Sequence, residues 1–300
     1  MHPRYNRASL AHSALSMQAL WMLFASLMFA IMAMFVKFAS EQASLGQIIL
    51  FRGIPTAVGI LAWALATRRP IISPTWRLHV MRNIAGSGSI WLSFFAMGHL
   101  PLATAVTLNY TSPLFIAGWM NVRERDMTDR LRTVAVVVGF IGVIAILRPT
   151  VDQSQWLAAF AGLAAGSLTA IAVMQVRSLG RAGEPEWRIV LFFALSSCLT
   201  GGLATMLTGW KSLTPYGWLT LLGVGLCGLF GQFAMTRAFS RGSAALSSVL
   251  QYSTIPFSIL LGYLFWNDQP DALAWLGMLL IAAAGLTSTW RTLREAQRKA

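Results

Sequence analysis

The residues best equipped for chemistry in this chain are polar ones standing inside apolar segments, and they come in pairs. Asn109-Tyr110-Thr111-Ser112-Pro113 and Gln251-Tyr252-Ser253-Thr254-Ile255-Pro256 each join an amide to a phenol, then to hydroxyls and a proline. An amide in hydrocarbon needs partners, and a proline within a helix frees a carbonyl about one turn earlier by removing a backbone donor. Such positions suit a small ligand. The competing reading is structural: hydroxyls satisfy the freed carbonyls, tyrosines pack and amides join helices. Recurrence of the amide and Tyr in both places favours binding. Arg52 stands about two turns inside its apolar segment and reads as the only formal charge well within one. It could hold a carboxylate through two parallel hydrogen bonds, or reach the interface or neighbouring carbonyls instead. Gln232 closes a segment rich in glycine and is expected to face a cavity. Trp21 and Trp91, with Ser89 beside the small run Ala85-Gly86-Ser87-Gly88, could stack on a flat or apolar solute.

The elements that must position these residues are membrane helices. Of the 300 residues, 56% are apolar and 11% charged, too few polar groups to clothe a water-facing shell. About ten stretches approach the roughly 20 residues that cross a hydrocarbon core. They fall near residues 16–37, 45–66, 80–97, 102–120, 131–147, 156–176, 189–207, 218–239, 244–266 and 273–290. The first, about 22 residues, exceeds the apolar core of a signal peptide and is expected to be retained. Most of the twelve tryptophans fall near the ends of these spans, as an interfacial belt would.

A net charge of +13 raises the possibility of nucleic-acid binding, and the distribution of the charges rejects it. With both termini cytoplasmic, 19 of the 23 Lys and Arg collect on the inner side, Arg68, Arg69, Arg77 and Arg82 among them. The outer loops hold Glu41, Asp152, Asp268 and Asp271. This is the positive-inside bias of a multi-pass protein of a bacterial inner membrane.

The chain also repeats itself at an interval of about 140 residues. Phe95-Ala96-Met97 returns as Phe233-Ala234-Met235, and Gly142 as Gly285 in a matching small-residue helix. The expected organisation is a cytoplasmic tail (1–15), a five-helix repeat (16–148), an outer linker (149–155), a second five-helix repeat (156–290) and a cytoplasmic tail (291–300). Five is odd, so the second copy enters the membrane from the opposite side. In inverted-repeat carriers the solute site lies near the midplane between the halves.

Absences narrow the function. All ten Asp and Glu fall in the proposed loops or at helix ends, leaving no carboxylate in the membrane core to carry a proton or sodium ion. Facilitated diffusion or exchange is therefore favoured. The histidines lie in the tail, at a cytoplasmic boundary (His79) and in an outer turn (His99). Cys198 and Cys227 read as packing residues. No catalytic residue, metal or cofactor is expected, because there is no cluster of His, Cys and acid and no phosphate loop. The expected partners are a small-molecule metabolite and the lipid bilayer, with no nucleic acid, the chain acting as a monomer or weak homo-oligomer.

From about Leu20 to Trp290 the chain resembles the drug/metabolite transporter superfamily, specifically the ten-helix carriers built from two EamA-type repeats. The resemblance rests on Phe51-Arg52-Gly53, on Phe95-Ala96-Met97 through Ala103-Thr104-Ala105 to Ser112-Pro113-Leu114-Phe115, and on Arg123-Glu124 leading into Gly139-Phe140-Ile141-Gly142-Val143. In the second half it rests on residues 231–238 (Gly231-Gln232 to Ala238), Ser243-Ala244-Ala245 and Tyr252 to Pro256. One departure is that Asn267-Asp268 stands where such repeats often carry a Gly-Glu turn. The resemblance implies an all-α fold of two inverted five-helix repeats. It implies a central cavity lined chiefly by the first, third, fourth, sixth, eighth and ninth helices, and most commonly metabolite export. Within that class, export of amphipathic or aromatic amino acids suits aromatics, amides and one buried Arg. Uptake of a flat heterocycle (riboflavin, a purine compound or S-adenosylmethionine) is the alternative within carriers, and a non-transport structural membrane protein the alternative outside them.

Overall fold

The computed structural model describes residues 4–112, 114–115, 134, 137–145, 155–241, 247 and 250–298. The Arg123-Glu124 turn, Pro113, Ser243-Ala244-Ala245 and most of the linker lie outside the described residues. Regular structure among the described residues is helical throughout. The helices are α1 (Arg4–Ser40), α2 (Leu45–Ala66), α3 (Trp76–His99) and α4 (Leu102–Asn109). After the linker come α5 (Trp156–Arg181), α6 (Glu186–Thr208), α7 (Pro215–Arg241), α8 (Thr254–Trp266) and α9 (Ala272–Arg298). Residues 137–145 are also helical. Thus α5 to α9 occupy the sixth to tenth predicted spans.

Among the described residues, five helices are long and apolar enough to cross a membrane: α2, α5, α6 and the stretches Met17–Ser40 of α1 and Pro215–Ser240 of α7. Leu157, Leu199, Met206 and Leu207 point outward from them, as lipid-facing side chains do. The 24-residue α3 is long enough but interrupts its apolar sequence with Arg77, His79, Arg82, Asn83 and several serines. Except for Arg77, which is exposed, those polar residues turn out to be buried or half-buried.

Packing pairs helices across the two halves. The most extensive contacts join α3 to α5, α1 to α7, and α2 to α6. Next across the halves come α2 with α7, then α1 with α8, α4 with α5, α4 with α8, and α3 with α6. Exchanging the first span with the sixth, the second with the seventh, and so on, converts this set of pairings into itself. Small residues permit the closest of these approaches. A Cβ on Gly53 of α2 would stand 2.6 Å from Cys198 Sγ and 2.7 Å from the Ala194 carbonyl of α6. Close backbone approach of this kind is how membrane helices associate without a hydrophobic driving force.

Local rules set the ends. Ser44 caps α2 through a reciprocal capping box with Gln47, whose amide also donates to the Lys211 carbonyl at 2.9 Å. The α8 helix ends on Asn267 in the left-handed region, φ 52°, which Asn tolerates better than most residues. Asp268 then meets Lys37 Nζ at 2.9 Å, and that ammonium also sits 4.6 Å from the Trp266 ring centroid. The Asn-Asp departure noted above is therefore a helix stop followed by an ion pair to α1.

Candidate functional site

Both polar motifs interrupt their helices. The sequence places each motif within a continuous span; instead α4 stops at Asn109, Tyr110 and Thr111 form a turn, and residues 112, 114 and 115 are helical again. In the second half Tyr252 and Ser253 form the turn and α8 starts at Thr254, placing Pro256 in its first turn, where a missing N–H costs least. The two breaks use the same device. Thr111 donates its N–H (3.2 Å) and hydroxyl (2.7 Å) to the Leu108 carbonyl, and Ser253 does the same to Leu250 at 3.0 and 2.6 Å. The hydroxyls thus bond backbone carbonyls at the two helix ends, and the amides are left for other work.

They face a cavity of about 110 Å³ walled by both halves, room for a few water molecules in this conformation. Arg52, Ser89, Asn109, Tyr110, Gln232 and Gln251 all line it. Tyr252, Trp21 and Trp91 do not line it. Tyr252 lies against Gly285 of α9, its hydroxyl buried and without a partner. Trp21 carries the Arg237 guanidinium 5.3 Å from its ring, and Trp91 packs on the main apolar core. The second and seventh spans, left out of the expected lining, supply Arg52 and Phe193.

The wall is held by short polar links. Thr169 Oγ1 donates to Asn109 Oδ1 at 2.9 Å and lies 2.6 Å from Ser89 Oγ, joining α3, α4 and α5. Tyr110 faces Gln251 and Thr254 of the opposite half. Arg52 donates from Nη2 to Gln232 Oε1 at 3.1 Å and from Nη1 to Ser197 Oγ at 3.5 Å. Gln232 passes the link on to Thr236 at 3.3 Å.

A second arginine corrects two expectations. Arg82 was counted with the inner loop cations and Arg52 read as the only charge inside a helix; Arg82 is only 2% exposed and Arg52 5%. Arg82 stands nearly two turns into α3, and its guanidinium carbon lies 3.4 Å from the centroid of the Phe193 ring. Arg52 lies 4.7 Å from the same ring. The two guanidinium carbons are therefore at most about 8 Å apart, a repulsion of about 2 kcal/mol at an effective dielectric of about 20. Arg82 Nε and Nη1 and Arg52 Nε are buried with no hydrogen-bond partner, and neither side chain has an ion pair among the described residues. Gly86, one turn on, makes room: a Cβ there would overlap Arg82 Nη1 and come within 2.8 Å of Phe193. The missed signal was a stripe. Arg82, Gly86, Ser89 and Ser93 fall at intervals of four, three and four residues, one face of a helix, and all four line the cavity.

A second buried polar cluster joins the segments before α3 and α6. Glu184 accepts from Ser73, from Thr75 at 2.8 Å and from Arg188 Nη1 at 2.9 Å, while Arg188 Nη2 donates to the Pro70 carbonyl at 2.7 Å. His79 stands 3.7 Å from the same carboxylate. Burial pushes Glu184 up, but the hydrogen bonds from Ser73 and Thr75 and the Arg188 charge hold its carboxyl below the ordinary value.

An all-helical, multi-pass bundle with a polar-walled cavity between two similar halves defines a membrane transporter. The sequence matches the EamA-like transporter family over residues 16–148 and again over 156–289, and the chain belongs to that family. It is 30% identical over 263 residues to the pseudopaline exporter CntI of Pseudomonas aeruginosa, covering 87% of this chain and 91% of the exporter. It is 27% identical over 290 residues to the riboflavin transporter of Vibrio cholerae, covering 94% and 96%. A crystal structure 17% identical in sequence superposes with a TM-score of 0.68 over 93% of this chain and 98% of the other, a likeness of fold.

Proposed function

We propose that the chain is a secondary carrier of ten spans in two inverted five-helix repeats, 16–148 and 156–290, with both termini cytoplasmic. It moves a small carboxylate-bearing metabolite across the inner membrane by alternating access, without enzymatic chemistry. The observation that carries this reading is the cavity walled by both halves, where Arg52, Asn109, Gln232 and Gln251 stand together. The pairing of helices across the halves supports the inverted repeat, because it maps onto itself when the copies are exchanged. Export is the favoured direction, of amino-acid-like solutes with an apolar body, and similarity to the pseudopaline exporter supports it. Uptake of a flat heterocycle is the second reading, favoured by similarity to riboflavin transporters. Among the described residues lining the cavity there is no Asp or Glu, consistent with exchange or facilitated diffusion.

Counterflow in proteoliposomes against labelled amino acids, organic acids and riboflavin tests the carrier. Trans-stimulated flux of at least one solute is expected, and it persists when sodium and proton gradients are collapsed. Absence of flux for every solute, or its dependence on either gradient, would overturn the corresponding part. Cysteine-accessibility labelling that found residue 300 outside would overturn the topology.

A further inference from the structure

We infer that the corner formed by Arg52, Phe193 and Arg82 binds a small solute carrying two negative charges. The inference rests on the carrier reading and narrows its cargo from amino-acid-like solutes in general to those with two net negative charges, which a simple zwitterion such as leucine does not carry. Both guanidinium groups are more than nine-tenths buried, both side chains line the cavity, and both lie over one phenyl ring. No carboxylate compensates either one among the described residues. The other polar groups of the wall, Asn109, Tyr110, Gln232 and Gln251 with four Ser and Thr hydroxyls, are neutral hydrogen-bonding partners. A zwitterion would leave both positive charges uncompensated and a monoanion would leave one. A solute with two negative charges neutralises the pair and offers oxygens to the unpartnered donors, in the charge-assisted geometry that guanidinium groups favour.

Spacing limits the solute further. With the guanidinium carbons no more than about 8 Å apart, two carboxylates on a chain of about four to six carbons, or one phosphate monoester, can touch both. Ile90, Phe94 and Val106 supply apolar wall for the body. The shared chemistry is a compact pair of negative charges.

Equilibrium binding to the purified full-length protein in detergent tests this with labelled glutarate and glycerol 3-phosphate against butyrate and leucine. At least one dianion is expected to bind about tenfold to a hundredfold more tightly than butyrate or leucine. Which of the two wins tells whether two carboxylates or one phosphate supplies the charge. Arg52→Gln and Arg82→Gln should each bring the favoured dianion to within about twofold of butyrate, while Arg82→Lys keeps part of the preference. Because the wild-type preference is itself the readout, a variant that fails to fold does not rescue the idea. Equal affinity for butyrate or leucine, or no saturable binding of either dianion, would overturn it. Dianion binding without counterflow of any solute would uphold this site and overturn the carrier. Counterflow of neutral solutes with no dianion binding would do the reverse.

Discussion

Two buried arginine sites in this molecule are treated in opposite ways. Arg188 is matched by the Glu184 carboxylate and the Pro70 carbonyl, and Glu184 in turn collects two hydroxyls, so almost every charge is answered. Arg52 and Arg82, equally hidden, share a phenyl ring and have between them one amide oxygen and one long contact to a hydroxyl. The chain can neutralise a buried cation when the role is to tie segments together. Where it does not, the missing partner is assigned to the solute inferred above.

The largest expected effect tests that contrast directly. Arg188→Leu strands a buried carboxylate and should cost about 3–5 kcal/mol. Arg82→Leu removes an uncompensated charge, so stability should hold or rise by about 1–4 kcal/mol while anion binding is lost. Thermal melts of both variants in detergent, beside wild type, decide. Equal losses of stability would mean that Arg82 is structural and would end the comparison.

A second, smaller effect follows from pH. The Glu184 carboxyl is held below its ordinary value of 4.5, so its contribution is complete above that pH and is lost as pH falls through the lowered value. Wild type should therefore lose melting temperature below pH 4.5 more steeply than Glu184→Gln, which starts lower and is flatter. Parallel curves would show that the Ser73, Thr75 and Arg188 bonds contribute nothing to the folded state.

How much of this was legible in the sequence depends on what hid each residue. Arg52, Asn109, Gln232 and Gln251 stand alone in apolar surroundings, and hydropathy by itself points to them. Arg82 does not stand alone. It closes a run with Arg68, Arg69 and Arg77 that reads as an inner loop, and only the spacing to Gly86, Ser89 and Ser93 gives its face away. The helix breaks were half legible: the prolines announced disturbed backbone, but whether a helix bends or stops depends on whether a side chain takes over the carbonyl, as Thr111 and Ser253 do. Trp21 and Trp91 show the limit of aromatic reasoning, since depth along a helix does not say which face a ring occupies.

Gly86 offers a finer test of the unpaired site. An alanine there must displace the Arg82 guanidinium from Phe193, because its Cβ would overlap Nη1, the far end of a flexible side chain. Gly86→Ala should weaken anion binding several-fold, and in the Arg82→Gln background it should cost nothing further, since the two changes act on one contact. Additive losses would place the effect of Gly86 in helix packing instead.

The smallest effect separates two tyrosines that the sequence presents as equivalents. Tyr110 faces Gln251 and Thr254 from the cavity wall, whereas the Tyr252 hydroxyl is buried beside Gly285 without a partner. Removing a hydroxyl that has neighbours to serve loses roughly 0.5–1.5 kcal/mol, about a two- to tenfold fall in solute affinity for Tyr110→Phe. Removing one that is buried and unanswered relieves a desolvation cost, so Tyr252→Phe should bind normally and melt no lower than wild type. Two phenylalanine variants, one binding assay and one melt read both outcomes. If Tyr252→Phe also weakened binding, the two motifs would act as a matched pair through a conformation in which both phenols reach the solute, and the asymmetry would belong to this state of the cavity alone.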